Sequence, residues 1–137
     1  MEIAGIKFNG TEHSDFFLDN MQRCRYNDVY HKALIYCLGI SEDTRNHIDN
    51  IYDFKSGMVK PECLTEGWIT SGSARIVRLA FNLYNDGMPS VFIMRKNNAE
   101  IDDLLRESNE YTVSSIFCYS YGPYFLDAIK IRYPEYF

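Results

Sequence analysis

Proline and glycine are scarce, four and eight among 137 residues, and most of them stand where a helix would end. The chain has no repeat, no low-complexity tract and no linker-like stretch. It also lacks any apolar run of about 18 residues, so no membrane span is expected. Residues 1–8 lack a basic segment followed by a long apolar core, so no secretory signal is expected and the expected compartment is the cytoplasm. Basic residues are outnumbered, 14 Lys and Arg against 19 Asp and Glu, for a net charge of −5. That argues against a nucleic-acid coat held by phosphate neutralisation, while a local basic face stays open. The four cysteines, Cys24, Cys37, Cys63 and Cys118, form no C-x-x-C pair, so no zinc-ribbon or redox signature is present. They read as reduced structural thiols. The three histidines follow no metal-ligand spacing, and no cofactor or metal is expected.

Aromatic residues are abundant: 11 Tyr, 9 Phe and 1 Trp. Hydrophobic content of 46% is ordinary for a globular protein and too high for a disordered one. The length suits one domain over residues 1–137. Apolar positions Phe16, Phe17, Met21 and Cys24 recur at helical spacing, predicting a helix capped by Thr11 and running to about Arg25. Asp28 caps a second helix, 29–38, closed by Gly39. That segment is apolar nearly all round, which marks it as the buried central helix. Ser41 caps a third, 42–55, and Pro61 opens a short one over 61–66. A polar turn leads into a longer helix, 74–86, ended by Gly87. Asn97 with Glu100 suggests a capping box for helix 98–107, whose Ile101, Leu104 and Leu105 face inward. Thr112 starts one more turn, and a last helix spans 123–132. The expected class is mainly α, a compact bundle of five to six helices. A minor two-stranded element over about 2–8 and 90–95 is an alternative to a buried helical turn at 90–95.

Several phrases stand out together: Asp28-x-Tyr30-His31-Lys32-Ala33-Leu34-Ile35-Tyr36, Trp68-Ile69-Thr70-Ser71-Gly72-Ser73, Arg78-Leu79-Ala80-Phe81-Asn82-Leu83 and Arg132-Tyr133-Pro134-Glu135-Tyr136. In these the chain resembles a family of small proteins of unknown function from Gram-positive anaerobes and their phages and mobile elements. The resemblance runs from about Phe8 to Phe137. It departs from the family pattern at Ile69 and Tyr84, where Gln and Trp are usual. The resemblance implies a genomic setting, in which small proteins act on host machinery or on their element's own DNA, and it brings no catalytic residue.

Four constellations are candidates for function. Arg75, Arg78, Asn82 and Asn85 form one polar stripe on helix 74–86, suited to major-groove reading in a helix-turn-helix-like arrangement. Trp68, Ser71, Ser73, Arg75 and Arg78 could instead form a nucleotide or anion site at that helix's start. His31 one turn after Asp28, and Asp49 with Asp53 on one helix face, are the arrangements closest to catalytic or cation chemistry. Segment 99–110 holds Glu100, Asp102, Asp103, Glu107 and Glu110 against Arg106 alone, a surface for a basic partner. Nine aromatics in the last 27 residues, Tyr119 and Tyr121 among them, divide between core and interface. The expectation is a non-catalytic binding or regulatory protein. It would modulate or inhibit a host protein, such as an antiviral-defence component, through Glu100, Asp102, Asp103, Glu107, Tyr119 and Tyr121. DNA binding through helix 74–86 and a homodimer are the alternatives in partnership.

Overall fold

A computed structural model of the chain describes residues 5–137. Among the described residues nine α-helices run in order: α1 Gly10–Met21, α2 Val29–Leu38, α3 Glu42–Asn46, α4 Ile48–Ile51, α5 Ser71–Asn85, α6 Pro89–Lys96, α7 Ile101–Asn109, α8 Val113–Phe117 and α9 Gly122–Arg132. Two-residue strands β1 (Tyr52–Asp53) and β2 (Met58–Val59) pair antiparallel, Tyr52 opposite Val59 and Asp53 opposite Met58. Single 3₁₀ turns lie at Pro61–Thr65 and Pro134–Tyr136. The class is mainly α as expected, built from more and shorter helices than five or six.

The centre is α2. Asp28 is extended, and its carboxylate accepts the His31 N–H, satisfying an orphan donor of the first turn. Ala33 to Leu38 are fully buried because α1, α5 and α9 pack around the helix. Burying each of Leu34, Ile35 and Leu38 contributes about 2 kcal/mol. The chain leaves α2 at Gly39 through a gap that admits no side chain. A Cβ there would lie 2.6 Å from His13 Cδ2 and 2.8 Å from Phe16 Cδ1. Gly39→Ala should therefore pry α1 from α2 and lower stability by about 2 kcal/mol. The check is a shifted urea midpoint at unchanged slope. A loss under about 0.5 kcal/mol would mean that α1 yields freely.

Several expectations are resolved or corrected. Of the two readings of residues 90–95 the helical one holds, because Pro89 at the first position of α6 presets the helix and, among the described residues, no strand pairs with them. Residues 5–8 form no strand, and residues 1–4 lie outside the described chain. The helix expected over 42–55 breaks at His47, whose ring Nδ1 bonds the Asp43 carbonyl. It ends at Ile51, because the Asp53 carboxylate accepts from the Lys55 N–H and the Ser56 hydroxyl and so stabilises a turn instead. Gly57 at φ +75° then closes the β1–β2 hairpin. The start of α1 is set by Asn9 and Gly10 and not by Thr11, and Asp86 at φ +55° ends α5 one residue before Gly87. Helix α7 begins at Ile101 and not at 98, since Asn98 turns left-handed at φ +60° and Glu100 makes no side-chain cap.

Candidate functional site

Helix α5 begins with a reciprocal cap: Thr70 Oγ1 accepts the Ser73 N–H, and Ser73 Oγ accepts the Thr70 N–H. Ser73 is buried within that cap, and Ser71 stays exposed. Arg75 donates to the Ser115 and Ser71 carbonyls, and its guanidinium lies 5.5 Å from the Tyr119 ring centroid. Asn82 Nδ2 donates to the Gly87 carbonyl. Arg78 makes a two-pronged pair with Glu107, Nε and Nη2 at 2.8 and 2.9 Å from the two carboxylate oxygens. Both side chains are largely buried, 14% and 15% exposed. Ser90 Oγ donates to Glu107 Oε2 at 2.6 Å and sits 2.6 Å from the Tyr111 hydroxyl. These donors are thus turned onto acceptors of the chain itself. Trp68 stacks on His47, rings parallel and 4.2 Å apart, and its indole N–H donates to Glu66.

What the Arg78–Glu107 pair does is hold α7. That helix fully buries none of its own residues. Leu104 and Glu107 turn toward the body of the protein, while Ile101 and Leu105 stand 66% and 57% exposed. Phe92 on α6 is 59% exposed, and Met58 at the hairpin tip 67%. Two adjoining clefts run along this face. One, of about 320 Å³, lies between α6 and α7, with Ile101 and Leu105 on its wall. The other, of about 410 Å³, lies between the hairpin and α6, with Met58 on its wall. They share Met88 and Phe92. Exposed Arg95 and Lys96 edge the α6 side. Exposed Glu100 and Asp102 flank Ile101 on the α7 side, whereas Asp103 pairs with Arg106 at 2.7 Å in a separate cleft lined by Met94, Glu107 and Glu110.

The acidic segment is thereby divided. Glu100, Asp102 and Asp103 face solvent, whereas Glu107 belongs to an internal ion pair and Glu110 lies 3.7 Å from Arg78. Ile101 and Leu105, expected to face inward, face out. Periodicity identifies an apolar stripe but not whether the same chain covers it. Of the two candidate tyrosines, Tyr119 is exposed above Gly72, where a Cβ would come 2.8 Å from its ring, and Tyr121 is half-buried against Phe125. The C-terminal aromatics are mostly the edge of the core: Phe125 is buried, and Tyr111, Phe117, Tyr121, Tyr124 and Tyr133 pack against it.

The polar clusters elsewhere are structural ties. His31 Nδ1 meets Asp28 at 2.7 Å, and the neighbouring Tyr84 hydroxyl donates to the Gly57 carbonyl and lies 3.0 Å from the Tyr52 hydroxyl. Burial raises Asp28's carboxyl, but hydrogen bonds from His31 outweigh it and hold the group below its ordinary value. Asp49 and Asp53 do not share a helix face, because Asp53 lies in β1, and Asp49 pairs with Arg23 at 2.8 Å. Burial pushes the Cys24 thiol up to about 11 and Cys63 to about 12, which keeps both protonated and unreactive. Among the described residues no group of three or more His, Cys, Asp or Glu could hold a metal, and no helix is long and apolar enough to cross a membrane.

No curated protein and no solved structure matches the chain. Residues 3–137 match the model described as "Family of unknown function (DUF6075)", and with nearly its whole length covered the chain belongs to that family.

Proposed function

We propose that this is a non-catalytic binding protein of the cytoplasm that regulates or inhibits a protein partner by occupying part of its surface. The observation that carries the reading is the α6–α7 face. Phe92, Ile101 and Leu105 remain in water around two adjoining clefts, although each could have been polar at no cost to the core. Grouped apolar exposure with a polar rim is the mark of an interaction surface, unlike single scattered apolar residues. The resemblance to phage and mobile-element proteins supports a host protein as the target, a component of antiviral defence included.

Affinity capture from the host tests this with paired variants. Ile101→Asp/Leu105→Asp should abolish capture of the partner that the unaltered protein retains. Glu100→Lys/Asp102→Lys should weaken it several-fold through the rim. The apolar variant should keep the parent helicity and unfold within about 1 kcal/mol of it, its side chains being mostly exposed. The lysine variant sets positive charge at the start of α7 and should lose about 1–2 kcal/mol. Undiminished capture by the apolar variant would overturn the reading.

A further inference from the structure

We infer that the occupant of the α6–α7 face is an amphipathic helix of the partner, with an apolar stripe bordered by basic residues on one flank and acidic residues on the other. The inference rests on the reading above and adds the chemistry of the ligand. Its first support is shape. Phe92 stands as a ridge shared by the two clefts, one opening toward α7 and the other toward the hairpin. A helix presents large side chains on one face every three or four residues, so it can seat one on each side of such a ridge. Strand addition does not suit the face, because β1 and β2 are two residues each and offer too short an edge.

The second support is charge. The α6 edge carries Arg95 and Lys96, and neither makes a salt bridge among the described residues. The α7 edge carries Glu100 and Asp102, also without one, while Asp103 is matched by Arg106. Glu107 and Glu110 are turned to Arg78 and add nothing to the rim. A wholly basic helix would meet like charge at Arg95 and Lys96, and a wholly acidic one would meet it at Glu100 and Asp102. Only a helix of mixed flanks is matched on both edges.

Three fluorescent peptides of about 18 residues, five helical turns, test this with the full chain. They share one leucine stripe and differ in their flanks: lysine with glutamate, lysine on both, or glutamate on both. Anisotropy at low salt should rank the mixed peptide first, about five-fold or more ahead of either uniform peptide. In Arg95→Glu/Lys96→Glu both edges are acidic, and the all-lysine peptide should become the tightest. A ranking that this variant leaves unchanged overturns the inference, as does binding of none of the three. Sedimentation adds a separate outcome. If the protein dimerises at micromolar concentration and Ile101→Asp makes it monomeric, a second copy covers the face and the inference fails. Peptide failure alongside Ile101- and Leu105-dependent capture removes the helix and leaves the binding function standing. Capture indifferent to those residues removes both.

Discussion

Glu107→Ala should lower the unfolding free energy by about 3–4 kcal/mol, a large effect for a residue on a helix that buries nothing fully. The cause is what remains. Arg78 is 14% exposed, and its Nε and Nη2 both donate to this one carboxylate. Removal strands a mostly buried cation, and Ser90 loses its acceptor as well. Glu110, 3.7 Å from Arg78 and half-exposed, can recover only part of the loss. Arg78→Ala should cost a similar amount for the mirror reason, an unpaired buried carboxylate. Replacing both by leucine should recover much of the stability, because a well-packed apolar pair avoids the desolvation of two ions. Urea unfolding of the two alanine singles and the double alanine variant forms a cycle. A Glu107→Ala loss under about 1 kcal/mol, or a coupling near zero, would show that the pair does not anchor α7. Glu107→Ala should also impair partner capture while Ile101 and Leu105 remain in place. Loosening α7 removes one wall of the cleft between α6 and α7.

Stability should also fall by about 3 kcal/mol as pH drops from 6.5 to 4, through His13. His13 is fully buried. The Asn9 N–H donates to Nδ1 at 2.8 Å, so Nδ1 carries the lone pair, and Nε2–H therefore donates to the Tyr36 carbonyl at 2.7 Å. Protonation would set an N–H against an N–H. Burial lowers the pKa from 6.5 to about 4, with Arg45 assisting and the Tyr36 carbonyl opposing. The unfolded chain thus takes up a proton at a pH where the folded chain refuses it. The stabilisation is intact above 6.5, drains at up to about 1.4 kcal/mol per pH unit below that, and stops draining below 4. His13→Gln should be less stable at pH 7 yet lose the slope in this window. An unchanged slope in that variant would sink the assignment. Glu66, held down by its hydrogen bond from Trp68, starts from 4.5, so it responds toward the acid end of that window.

Local order is legible wherever a few neighbouring residues suffice to decide it. The boundaries of α2 follow from Asp28, a mostly apolar segment and Gly39, all within twelve positions. The breaks in 42–55 were hidden because they depend on side-chain bonds, His47 to Asp43 and Asp53 to its own turn, that compete with a helix the composition allows. Residues 90–95 read equally as strand or helix until it is known whether a strand lies beside them.

The candidate site divides along the same line. Residue types and spacing place Arg78 and Glu107 on polar helix faces, one resembling a nucleic-acid reader and the other an acidic docking surface. The sequence by itself determined a mainly helical chain around α2 and an amphipathic stripe on α7, since both depend on periodicity and caps within one segment. Only tertiary structure decided that Arg78 and Glu107, 29 positions apart, neutralise each other inside. It likewise decided that Ile101 and Leu105 stay in water: α7 is held along its Leu104–Glu107 side, and that orientation turns the rest of its apolar stripe outward.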